Sequence, residues 1–377
     1  MQPKPGNLAP DTQRQAARKM PAGRGMAAVK PDWSEAESRM RDWWAGRRTD
    51  RAVAGVYAPK EGAPRKAPKQ ALPDKYTDFA TLTDNFESQM ESTFYGGEAF
   101  PAHWLYHGPV PISAYFGGTP EFRPDTVWYA PCHADWDAAR NWSFDPGNRW
   151  WRMALDLTRR SLEHAQGRYL VSGCGIGALA DVIANLWGVE ALLMQAADEP
   201  AVIRDLLGRM LTPLLGMYDE LYELARPYQE GYFDWMYMWA PGRVCSLQND
   251  VSCMMSPGMF REIFLDEIRR EAEHVDYAIY HLDGPGAIKH LDALLGIEAL
   301  RVIQWQPGAG ASMDPMDWLD LLRRIHAAGK KTYVICPPER VRDLLARVDR
   351  QAVYLRINCR DEKSAHACLA ELDRIGG

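Results

Sequence analysis

From Trp150 onward the chain alternates short apolar runs with longer amphipathic stretches. Strands are predicted at RYLVS (168–172), GYFDWMY (231–237), RVCSLQN (243–249), DYAIYH (276–281), LRVIQW (300–305), KTYVIC (331–336) and AVYLRI (352–357). Apolar spacing of helical period predicts helices over 150–166, 177–187, 198–226, 257–273, 286–295, 314–328, 338–347 and 361–374. Upstream, RAVAGVYAP (51–59) reads as one more strand, and 32–48 as a helix with Trp43 and Trp44 on its buried side. Apolar strands separated by helices mean βαβ units and a parallel sheet. The strand count is near eight and no strand is followed by a GxGxxG turn. The expected class is therefore α/β, a closed (β/α)8 TIM barrel with an N-terminal loop-rich and helical elaboration, in preference to a dinucleotide-binding sheet.

The rest of the chain divides by composition. Residues 1–30, rich in Pro, Gly and Gln, predict a flexible tail. Residues 31–377 are expected to form a single barrel domain. The Pro- and Lys-rich run 60–75 opens a poorly periodic segment, 60–149, expected to lie over the barrel mouth, since irregular segments of this length tend to be functional.

Charge and cysteine usage narrow the classes of partner. A formal net charge of -6 offers no excess of cations for a phosphate backbone, so no nucleic-acid partner is expected. No run of about 18 apolar residues is present, and none of about 7 to 15 follows the basic N-terminus, so neither a membrane span nor a secretory signal is expected. The seven cysteines are odd in number, scattered and never spaced CxxC, which fits a reducing, cytoplasmic compartment better than a disulfide framework.

Catalytic groups of parallel barrels sit where strands end on the C-terminal face. That rule selects Gln248, Asn249 and Asp250; His281 and Asp283; Gln304, Trp305 and Gln306; and Cys336. The strands ending at His281 and Cys336 are separated by one strand, so their Cα atoms should lie about 9–10 Å apart. An imidazole, a carboxylate and a thiolate there would leave one metal position open, the pattern of a catalytic zinc site. Plainer duties fit the same residues: Cys336 as a small buried hydrophobe, Asp283 as a helix cap, Asp250 as a turn residue. Glu98 and Trp128 are further pocket candidates from the elaborated segment. Gly173-Cys174-Gly175-Ile176-Gly177 lacks the lysine of a phosphate loop and reads as a tight turn lining the pocket.

SPGMFREIFLDEIRR, AIYHLDGPGAIKHLDALLGIEAL and KTYVICPPERV, in that order, resemble blocks of the uroporphyrinogen decarboxylase superfamily over roughly residues 150–375. WWAGRRTDRAVAGVYAP resembles only its divergent decarboxylase-like and methyltransferase-like members. The resemblance implies a (β/α)8 barrel and one of two activities. The porphyrinogen decarboxylases bind a highly carboxylated substrate through an N-terminal arginine motif; here only Arg47, Arg48 and Arg51 stand nearby, in a different context. The cobalamin-linked methyltransferases carry zinc on a His-x-Cys pair and a later Cys. Those positions match His281, Asp283 and Cys336, with aspartate in place of the first cysteine. A carboxylate makes the metal harder, which suits polarising an ether or amine better than activating a thiol.

The resemblance thus implies a zinc-dependent demethylating component that passes a methyl group from a small substrate to a corrinoid held by a partner protein. His281, Asp283 and Cys336 would hold metal. Asp250 and His281 would act on the substrate, with Glu98, Trp128, Gln248, Gln304 and Trp305 shaping its pocket. The alternatives are a metal-free decarboxylase or lyase using Asp250 and His281 as acid and base, and a non-catalytic binding barrel. Barrels of this kind often pair as homodimers, though no interface is legible in the sequence.

Overall fold

β-Branched and aromatic residues, bounded by prolines, glycines and helix caps, set the strands. They are β1 (Val53–Pro59), β2 (Thr93–Gly97), β3 (Ala102–Trp104), β4 (Pro120–Phe122), β5 (Val127–Tyr129), β6 (Leu170–Ser172), β7 (Val244–Gln248), β8 (Tyr277–Asp283), β9 (Leu300–Gln306), β10 (Lys331–Ile335) and β11 (Val353–Asn358). The computed structural model describes residues 24–64, 67–173 and 177–376.

The central sheet has seven strands in the order β2-β1-β11-β10-β9-β8-β7. Every neighbouring pair in it is parallel except β1 and β2. β3 and β6 form a separate parallel pair, and β4 and β5 an antiparallel hairpin. The protein is thus mixed α/β with a parallel central sheet. A fully closed eight-stranded ring is not what the hydrogen bonds of the described residues give. One reason is local: the outer edge of β1 is taken by β2, which returns antiparallel, with Val56 opposite Gly96. Gly97 makes that return feasible. Its φ is +58°, and a Cβ there would lie 2.3 Å from the Ala54 carbonyl oxygen.

Helices follow β7 to β11 much as the apolar period predicts, for example Leu319–Ala327 after β9 and Glu362–Gly376 after β11. The helix Trp33–Trp44 closes the N-terminal end of the strands. The Trp43 ring lies 6.3 Å from Tyr354 at the start of β11, and the Trp44 ring 4.9 Å from Tyr277 at the start of β8. Aromatic pairs at this spacing add to the burial energy of the rings themselves. With that end filled, the open end is the one where β7, β8 and β11 finish. Among the described residues no single helix is long and apolar enough to cross a membrane.

Three expectations change. The predicted tail does not reach residue 30: residues 24–29 form a helix, and Lys30 behind it is buried against Asp32 at 3.0 Å; residues 1–23 lie outside the described residues, as do residues 174–176 of the turn predicted over Gly173–Gly177. The segment 60–149 is more regular than its pattern implies. It holds the 13-residue helix Phe79–Glu91, capped by Asp78, whose side chain accepts from the Thr81 N–H. GYFDWMY is not a strand. It folds as an irregular stretch pinned by one bridge between Tyr232 and Ala240, and Tyr237 adopts φ +56°.

Candidate metal centre

Side-chain alternation along β8 and β9 brings His281 and Gln304 to the same face, since the two are directly paired. Nδ1–H of His281 donates to Gln304 Oε1. With that nitrogen occupied, Nε2 carries the free lone pair, and it points toward Asp250, 4.0 Å from Oδ1. Asp283 ends the same strand. One ligand atom each from Asp250, His281 and Asp283 lies within 4.8 Å of the others. Tetrahedral zinc would require such atoms to be about 3.3 Å apart, so the two carboxylates would have to rotate inward to close on an ion. One nitrogen and two carboxylate oxygens make a hard donor set, suited to zinc and other divalent first-row metals and not to copper(I).

Behind the cluster stands Asp181, from the first turn of helix Leu179–Trp187. It accepts from the backbone N–H of Asp250 and of Val251, both at 3.1 Å, and from Gln248 Nε2 at 3.3 Å. Gln248 also reaches Asp250 Oδ2 at 3.2 Å. Burial, reinforced by the neighbouring Asp250 charge, pushes Asp181 up to about 7. Asp250 itself is pushed up to about 6, again by burial first and then by Asp283. Burial pulls His281 below the usual imidazole range, more than Gln304 and the acidic groups raise it. At neutral pH the ring is therefore uncharged, as a metal ligand must be.

Two members of the cluster, Asp250 and His281, face a cavity of about 270 Å³ that Trp104, Tyr106, Val110, Ile112, Trp235 and Gln248 also line. The Trp235 ring meets the imidazole edge-on at 5.2 Å. It is held there by Asp234, which accepts from the N–H of Met236 at 3.1 Å and from that of Ser246. Apolar walls over a few convergent polar groups are typical of small-molecule sites.

The structure brings together Asp250, His281, Asp283, Gln248 and Gln304, and leaves the other sequence candidates elsewhere. Cys336 does not join the cluster. In β10 the inward positions are Tyr333 and Ile335, so alternation turns Cys336 outward; its neighbours are Cys368 on the helix after β11, Asp314, Glu339 and Arg340. Burial pushes its thiol up to about 12, so it is no thiolate. Trp305 likewise faces the helix layer, 4.8 Å from Trp318. Trp128 is 58% exposed on β5 and lines neither cavity. Glu98 is fully buried in an ion-pair network with Arg39 and Arg51. Sequence reasoning missed Asp181 and Trp235. The signal for the first was the single acid in the mostly apolar LADVIANLW; the second was hidden by the strand-like pattern around it.

No family model matches the chain, and no curated protein matches it in sequence. Among solved structures, a methyltransferase from Methanosarcina mazei superposes with a TM-score of 0.61 over 89% of this chain and 98% of that one, at 12% identity. The chain has a methyltransferase-like fold.

Proposed function

We propose that this protein is a zinc-dependent methyltransferase of the cobalamin-linked branch of the uroporphyrinogen decarboxylase superfamily, moving a methyl group from a small methylated compound to a corrinoid on a partner protein. The observation that carries this reading is the meeting of Asp250, His281 and Asp283 beyond the ends of β7 and β8, with Asp250 and His281 on the wall of an apolar cavity. The shared fold with a methyltransferase supports it, as do the resembling sequence blocks. Asp250 takes the third position that a thiolate was expected to fill. Zinc bound there would act as a Lewis acid on the oxygen or nitrogen that bears the methyl group. The chain's own part is to keep His281 neutral and aimed through Gln304, to fix the Asp250 backbone through Asp181, and to exclude water with Trp104, Tyr106 and Trp235.

Elemental analysis of purified protein tests this. One equivalent of divalent metal is expected, retained in Cys336→Ser. Activity that survives complete metal removal would end the proposal. It would favour the second reading, a metal-free decarboxylase or lyase, to which Asp250 titrating near 6 beside a neutral imidazole also lends support.

The same groups set a pH dependence. Asp250 is protonated below about 6 and must lose that proton to ligate. Metal affinity should therefore fall about tenfold per pH unit below 6, and level off above it. Calorimetry in buffers of different ionisation heat should show about one proton released per metal at pH 5 and almost none from this group at pH 7.5. Equal proton release at both values would remove Asp250 from the ligand set.

A further inference from the structure

Beside the first cavity lies a second, of about 1140 Å³, and Trp104 and Tyr106 line both. Its inner wall holds Arg356, which occupies an inward position of β11 two residues after Tyr354. The guanidinium sits over the rings of Tyr57 at 4.9 Å and Tyr237 at 5.3 Å. Its hydrogen-bonding neighbour is the Tyr333 hydroxyl, which itself donates to the Met236 carbonyl at 3.2 Å. Among the described residues no carboxylate pairs with it. Contacts with aromatic faces recover only part of what a partly buried guanidinium loses on leaving water. Lys69, on the same cavity's rim, is by contrast paired with Asp84.

Other polar groups of this wall also lack partners. Tyr57 Oη, Trp104 Nε1 and His103 Nδ1 are buried without a hydrogen bond. His103 is only 3% exposed and stacks on Phe86 at 4.4 Å. Such orphaned groups are rare in folded proteins and call for an explanation. A ligand with one oxyanion would answer the guanidinium and the Tyr57 hydroxyl below it, and its apolar body the rings around them.

We infer that this cavity is an anchoring subsite for an organic monocarboxylate, with Arg356 taking the carboxylate and the surrounding aromatic rings its body. A planar carboxylate matches the guanidinium fork, whereas a phosphate dianion would want a second cation beside it; Lys75, another cation of this cavity without a carboxylate partner among the described residues, is engaged at the Pro124 carbonyl and over the Tyr76 ring. Since Trp104 and Tyr106 border both cavities, the far end of such a molecule is directed toward His281. This last step rests on the proposed metal-dependent methyl transfer and makes the methyl donor a carboxylic acid; the anchoring itself does not.

The test is binding of 4-methylbenzoate to the full chain, followed by calorimetry, against neutral 4-methylbenzamide and inorganic phosphate. Arg356→Gln should weaken carboxylate binding by at least about tenfold, with Arg356→Lys between it and the parent. Amide binding should be unchanged, and both variants should keep their near-UV dichroism and bound metal. Asp283→Asn, expected to lose metal, should bind the carboxylate like the parent, so a failed metal reading leaves the subsite standing. Three results overturn the subsite: no carboxylate binding by the parent protein, equal carboxylate affinity in Arg356→Gln, or phosphate displacing the carboxylate at lower concentration than the carboxylate itself requires.

Discussion

His281→Ala should abolish the proposed methyl transfer, by about a thousandfold or more, and remove the metal proposed to bind there while leaving the fold intact. The imidazole is the one nitrogen donor in the cluster, and its loss leaves two carboxylates with a weaker hold on any divalent ion. The ring borders a cavity and meets Trp235 and Gln304, so its loss should cost about 1–2 kcal/mol of stability. Metal content, activity and thermal unfolding of one preparation decide the matter. Full metal occupancy in the alanine variant would show that the ion sits elsewhere.

The largest effect on stability should come from Glu98→Ala. Its carboxylate accepts from Arg51 twice at 3.0 Å, from Arg39 at 2.7 Å and from the Ala54 N–H at 2.7 Å. The Glu98 side chain is 0% exposed and that of Arg51 only 6%. Removing one partner of a buried pair strands the other charge, at a cost of about 3–5 kcal/mol. The same change also frees a backbone donor at the junction of β1 and β2. A midpoint lower by several degrees is expected, with metal binding of the folded protein unchanged. A midpoint within about one degree of the parent would show that water reaches the network.

These two residues illustrate what the sequence could and could not convey. His281 and Asp283 were legible because two polar groups end an apolar strand, where packing has no use for them. Glu98 and Cys336 have equally suggestive types, yet their roles depend on which face of the sheet they occupy. A strand's parity relative to the core is fixed by pairing with distant strands, and an apolar run such as KTYVIC carries little internal mark of it. Arg356 was the converse. Its parity with Tyr354 in AVYLRIN is a signal, a charge on the core-facing side of an apolar strand, which a rule confined to strand ends passes over. Strands β7 to β11 came through because their alternation with helices is regular. The helix Phe79–Glu91 did not, because it buries Thr81 and Thr83 where a period search expects apolar side chains. GYFDWMY failed for the opposite reason. Its aromatic density is strand-like, but Asp234 uses its carboxylate to satisfy backbone donors that a sheet neighbour would otherwise take.

That stretch has a mechanical consequence. Trp235 leans on the imidazole and Tyr237 on the guanidinium, and only one residue separates them along the backbone. Anything that shifts one ring drags its companion. On the proposed reading, an occupant settling against Arg356 would thus be felt at His281 without any rearrangement of the sheet, and the short hop through Met236 would join holding a molecule to acting on it.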